Sequence, residues 1–222
     1  MYDEVRIIVE IASAISCFIL VRFMIKPFQL TRESRYIGLP LGFIFLAISY
    51  AIAAIAYTEP IYFFKEFLWI QLLTRTFAFV FLATTYYFSK KPSKGTQLWW
   101  NITLSVLVVA LIALFLVIVI DPQAASKGYT ASQVYVRVFN VICLSYIAIH
   151  SLRSHIKDPD PTTIWTPLGF ILLAISQYSL LFWYIDSSFA AFWGALVLRL
   201  LALAVFLFVA FRTFYSSRKN DP

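Results

Sequence analysis

Four ionisable side chains stand inside otherwise apolar stretches: Glu10, Arg75, Arg137 and Arg199. An ionisable group within a membrane span costs about 2.5–3.5 kcal/mol on insertion scales, so each one marks a functional candidate. One carboxylate facing three guanidiniums leaves an excess of positive charge. A guanidinium presents a planar fork of N–H donors that matches the oxygens of a carboxylate or phosphate. The set therefore suits an anionic or polar small molecule, whether a lipid headgroup or a carboxylate-bearing substrate. An ion-pair network that locks helices together accounts for the same residues, because one Glu can pair with one or two Arg.

Neighbouring residues extend these polar faces. On a helix, Glu10 shares a face with Ser13 and Cys17, Arg137 shares one with Asn140 and Leu144, and Gln71 lies four residues before Arg75. Tyr50, Gln177 and Tyr178 fall at similar depth in their own runs. The expected ligand-binding set is Glu10, Arg75, Arg137, Arg199, Gln71, Asn140, Tyr50 and Gln177.

Other chemistry has little to work with. No Ser–His–Asp set and no pair of carboxylates shares one depth, so no enzyme is expected. His150 and His155 sit near the end of one apolar run, whereas a membrane haem takes axial histidines from different helices. Cys17 and Cys143 both lie in apolar runs and read as buried thiols rather than a disulfide or part of a zinc cluster. No metal and no cofactor are expected.

The elements that must position these groups follow from composition. The chain has 222 residues, 61% apolar and 13% charged, with a mean hydropathy of +0.81. Soluble domains run near about 45–50% apolar and 25% charged, so lipid must serve as solvent for part of this surface. Seven apolar runs, about 5–25, 36–57, 62–88, 98–120, 131–152, 163–185 and 189–214, are each long enough to cross about 30 Å of hydrocarbon as a helix. They leave no room for a separate soluble domain. Most breaks carry turn residues or charge, as at Lys26-Pro27, Glu59-Pro60, Lys91-Pro92, Asp121-Pro122 and Asp158-Pro159, while Asp186-Ser187-Ser188 joins the last two helices tightly.

The acidic start, Met1-Tyr2-Asp3-Glu4, differs from the basic start of a signal peptide, so the first run is expected to be a retained helix. The net charge of +7 forms no nucleic-acid patch; the basic residues fall between the apolar runs. Arg22, Lys26, Arg32, Arg35, Lys90, Lys91, Lys94, Arg153, Lys157, Arg212, Arg218 and Lys219 collect at one end, against Arg6, Lys65 and Lys127 at the other. The positive-inside rule then puts the N-terminus outside and the C-terminus in the cytoplasm of a cell-membrane protein. The four buried charges then lie about 8–20 Å below the outer surface, at depths where they can meet. Trp69, Trp99, Trp100, Trp165, Trp183 and Trp193 fall near run ends and read as interface anchors.

An internal repeat orders the whole. Pro40-Leu41-Gly42-Phe43-Ile44-Phe45-Leu46-Ala47-Ile48-Ser49 and Pro167-Leu168-Gly169-Phe170-Ile171-Leu172-Leu173-Ala174-Ile175-Ser176 agree at nine of ten positions, 127 residues apart. The same offset pairs Glu10 with Arg137, and an offset of 124 pairs Trp69 with Trp193 and Arg75 with Arg199. The expected fold is an all-α integral membrane protein with seven transmembrane helices as a 3+1+3 parallel repeat: residues 1–97, a connecting helix in 98–125, and residues 126–222. This plan resembles that of SWEET-class sugar transporters and related seven-helix carriers, a resemblance of topology that implies alternating access about a central site. A retinal pigment is excluded, because residues 189–214 contain no lysine. The function expected is a small-molecule transporter or permeation pathway with its polar site between the repeats. The alternative is a non-catalytic sensor or accessory subunit, working with a membrane protein partner or as a homo-oligomer.

Overall fold

The computed structural model describes residues 2–31, 37–58, 64–89, 94–157 and 164–216. Seven long α-helices occupy these residues, with no strand among them: α1 (Tyr2–Thr31), α2 (Gly38–Thr58), α3 (Phe64–Ser89), α4 (Lys94–Ile120), α5 (Pro122–Lys157), α6 (Trp165–Asp186) and α7 (Phe189–Ser216). Each carries a stretch long and apolar enough to cross a membrane. In hydrocarbon the backbone must satisfy its own polar groups, and a helix does so within a single segment. The chain is accordingly a multi-pass membrane protein. The breaks at Glu59-Pro60, Lys91-Pro92 and Asp158-Pro159, and Arg32, Arg35, Lys90, Lys91, Arg218 and Lys219 of the charge pattern, lie outside the described residues.

Two helices overrun their expected ends. α1 continues through Lys26-Pro27 to Thr31, and α5 starts at Pro122, separated from α4 by Asp121 alone. A proline removes one backbone donor, which a membrane helix tolerates when its remaining bonds hold. At the first position of α5 the missing donor would have had no partner within the helix.

Six helices form a closed ring. α1 packs on α2, α2 on α3, α3 on α5, α5 on α6, α6 on α7 and α7 back on α1. α4 lies outside the ring against α3 and α5. Only 11% of its spanning segment is buried, against 28–56% for the other six, so lipid rather than protein solvates most of α4. Trp100 departs from the interface-anchor expectation: it is 2% exposed, with its ring 5.7 Å from that of Phe88. A side chain at Gly38 would collide with Trp100 and Thr85, so the bare glycine backbone lets the indole pack inward.

One half of the ring interior is filled by a continuous apolar core that includes Cys17, Phe43, Leu82, Ile147, Phe170 and Phe206. Phe206 packs edge-on against Phe170 at 4.8 Å and against Phe43 at 5.7 Å between ring centroids. Close approach here depends on glycine. A Cβ on Gly42 would stand 2.7 Å from Leu82, and one on Gly169 would stand 2.6 Å from Phe206. Gly42→Val should therefore destabilise the bundle by about 1–3 kcal/mol through overpacking, measured as a lower thermal midpoint in detergent. An unchanged midpoint would show that α2 and α3 do not meet there.

The α6–α7 connection is a tight cap. Ser187 adopts the left-handed conformation (φ 50°, ψ 26°), and its N–H donates to the Trp183 carbonyl at 2.8 Å. The Ser188 hydroxyl accepts from the Ala191 N–H at 3.5 Å, in the manner of an N-cap for α7. This short turn fixes α7 beside α6.

Candidate functional site

Toward the end of the ring where α1 begins, the interior is a cavity of about 230 Å³. All six ring helices line it: Arg6 and Glu10 from α1, Tyr57 from α2, Leu68, Gln71 and Arg75 from α3, Gln133 and Arg137 from α5, Leu180, Trp183 and Tyr184 from α6, and Phe192, Leu196 and Arg199 from α7. Among the described residues, four guanidiniums and one carboxylate thus face a single space whose remaining walls are largely apolar and aromatic.

At its base, Glu10, Arg75 and Arg199 meet. Arg199 Nη1 donates to both carboxylate oxygens of Glu10, at 3.0 and 3.1 Å. Arg75 Nη2 stands 3.9 Å from Glu10 Oε2, close enough for an ion pair though not for a hydrogen bond. All three side chains are buried, with Glu10 and Arg75 at 3% and Arg199 at 1% exposure. At such burial the attraction between them is weakly screened.

The two arginines are held differently. Arg75 is occupied on several sides: Nε donates to Ser49 Oγ at 3.2 Å, and the Gln71 amide, oriented to satisfy both groups, accepts from Nη2 at 2.6 Å and Nη1 at 3.3 Å. Ser49 in turn donates to the Gln71 carbonyl at 2.9 Å, which ties α2 to α3. Arg199 makes its bonds through Nη1 alone; Nε and Nη2 are buried and have no acceptor. The Tyr50 ring lies 4.7 Å from both guanidiniums and stabilises both cations through its π face.

The cavity takes in Glu10, Gln71, Arg75, Arg137 and Arg199 of the expected set. Tyr50, Asn140 and Gln177 are fully buried but do not line it. Tyr50 Oη and both amide atoms of Asn140 and of Gln177 make no hydrogen bond. Buried amides without partners are costly. Ser13 is satisfied within its own helix, donating to the Val9 carbonyl at 2.7 Å.

Arg6, Gln133 and the aromatic rim fall outside the expected set. Their spacing carries a signal: Arg6 lies one turn before Glu10, and Gln133 lies four residues before Arg137, as Gln71 does before Arg75. Arg6 sits 3.7 Å over the Tyr57 ring and within 5.3 and 5.8 Å of Phe192 and Trp183, so three aromatic rings hold it at the mouth. Trp183, an expected interface anchor, is therefore part of the cavity wall.

His150 lies within the aromatic packing, 6.0 Å from Tyr86 and 5.8 Å from Tyr146 between ring centroids. Cys17 and Cys143 are buried free thiols. Among the described residues no three His, Cys, Asp or Glu side chains gather as a metal site.

Together these features define a multi-pass membrane protein with a buried cationic cavity at one end of a six-helix ring. No family model, curated protein or solved structure matches the chain.

Proposed function

We propose that the chain is a small-molecule transporter or permeation pathway of the cell membrane, built from two parallel three-helix repeats with an anionic or polar solute bound between them. The observation that carries this reading is the convergence of Arg75, Arg137 and Arg199 on one cavity, with Glu10 the only carboxylate among the described residues of its wall. Guanidiniums that line a cavity present planar N–H donors suited to the oxygens of an anion.

The ring supports the repeat. Exchanging α1 with α5, α2 with α6 and α3 with α7 leaves the order of neighbours around it unchanged. Two hydrogen bonds recur under the same exchange. Ser49 donates to the carbonyl of residue 71, four before Arg75, and Ser176 donates at 2.8 Å to that of Ala195, four before Arg199. Gly42 abuts Leu82 as Gly169 abuts Phe206, again with offsets of 127 and 124.

Beside the cavity, the ring interior holds a packed apolar core in which Phe206 meets Phe43 and Phe170 edge-on. A filled core fits one state of an alternating-access cycle, in which rocking of one triplet against the other would part it. The same core favours a second reading, a seven-helix sensor or accessory subunit that binds without passing its ligand on. A stoichiometric membrane partner in mild detergent would support the second, and uptake of a small anion by proteoliposomes the first. If no anion enters and Arg199→Gln changes stability alone, transport is wrong.

The mouth is taken to face outward, as the lysines and arginines imply. In intact cells a membrane-impermeant maleimide should label Glu4→Cys but reach Arg212→Cys only after permeabilisation. The reverse pattern would invert the topology.

A further inference from the structure

The cationic cavity carries an inference about ligand class, which rests on the ligand-site reading above. We infer that it binds a small organic monocarboxylate with a flat apolar body, and that the free edge of Arg199 grips the carboxylate.

A guanidinium has two faces for bidentate recognition: the edge between the two terminal nitrogens, and the edge formed by Nε–H and the adjacent Nη2–H. Glu10 occupies Nη1 of Arg199, and the Nε and Nη2 donors remain buried and unbonded, at 1% exposure of the residue. Two parallel donors on one rigid edge match the two oxygens of a carboxylate. Arg75 offers no such edge, because Ser49 takes its Nε and Gln71 its terminal nitrogens. Arg199 lines the cavity, and its Nε and Nη2 are both unbonded.

The rest of the wall selects the body. Leu68, Leu180, Leu196, Trp183 and Phe192 border the same space. An inorganic anion would bond the fork and leave these side chains unused, whereas an apolar ring would displace water from them. At about 230 Å³ the cavity is smaller than the roughly 300–1,000 Å³ of pockets for drug-sized ligands, so the body is limited to about one ring. Tetrahedral oxyanions such as phosphate share the chemistry of the fork; the apolar wall is what disfavours them.

Calorimetry on the full chain in lipid nanodiscs tests this, with empty discs as the reference and benzoate, phenylacetate, acetate, phosphate and benzyl alcohol as probes. Benzoate or phenylacetate should bind at least tenfold more tightly than acetate or phosphate, and benzyl alcohol should not bind. Arg199→Lys keeps the charge facing Glu10 but loses the fork, and should weaken the aromatic carboxylate at least tenfold. Leu68→Trp fills the cavity without altering any charge, so it should do the same even if the lysine variant fails to fold. Tighter phosphate binding, no binding by either aromatic acid, or full affinity in a folded Arg199→Lys protein would overturn the assignment. Benzoate binding without any flux would overturn transport and leave this site standing; flux of another anion with no benzoate binding would do the opposite.

Discussion

Glu10→Gln lowers the stability of the bundle by about 3–5 kcal/mol, the cost of leaving a buried ion pair without one partner. Glutamine can still accept a hydrogen bond from Arg199, so this substitution isolates the charge from the shape. Glu10 is the carboxylate that neutralises Arg199 at 3.0 Å and Arg75 at 3.9 Å, and all three side chains are buried. Without it, the two guanidiniums beside Tyr50 lose the carboxylate that offsets their mutual repulsion, and the Tyr50 ring compensates only part of their desolvation. The double variant Glu10→Gln/Arg199→Gln should recover part of the loss, because it removes one of the uncompensated cations. Equilibrium unfolding in mixed micelles measures both. A neutral Glu10→Gln protein would mean that water reaches this cluster and screens it.

The second large effect separates the two arginines by what they hold. Arg199→Gln should cut uptake of a carboxylate into proteoliposomes about a hundredfold, since two charge-assisted hydrogen bonds at about 1.5 kcal/mol each correspond to about two decades of affinity. Arg75→Gln should act mainly on stability, because its donors already serve Ser49, Gln71 and Glu10. Flux per folded molecule distinguishes them: low for Arg199→Gln, close to that of the unmodified chain for Arg75→Gln. Equal losses would mean that the two cations work as one unit, whereas intact flux in both would remove the solute from the site.

The sequence makes the seven helices legible because hydrocarbon imposes one rule on every span, and the apolar runs agree with the helices to within a few residues in most places. The exceptions fall where that rule is silent. Lys26-Pro27 reads as a break, yet a proline near a helix end removes little, so α1 runs on; the chain does break at Asp121, but a proline is tolerated in a first turn, so α5 begins directly at Pro122. Glu10, Arg75 and Arg199 are legible as a group because charge well inside a span is expensive, whereas the other charges of these runs lie near their ends.

Which hydrogen bonds each makes is not legible. That Gln71 and Ser49 consume Arg75 while Arg199 keeps an edge open depends on rotamers and on the angle between α2 and α3. Tyr50 looks like a ligand-facing phenol by position, but its ring lies between the two guanidiniums, and its hydroxyl does not reach the cavity wall. The aromatic mouth around Arg6 escapes notice because Tyr57, Trp183 and Phe192 lie at run ends, where such residues also serve as anchors to the membrane interface.

The decisive measurement is an electron-microscopy reconstruction of the chain in nanodiscs with saturating benzoate, bound to an antibody fragment for size. Density for the planar acid within hydrogen-bond distance of Arg199 Nε and Nη2, its ring against Trp183 and Leu68, is the expected result. A cavity closed by collapsed leucine and aromatic side chains, with the Arg199 edge bonded to protein, would contradict it.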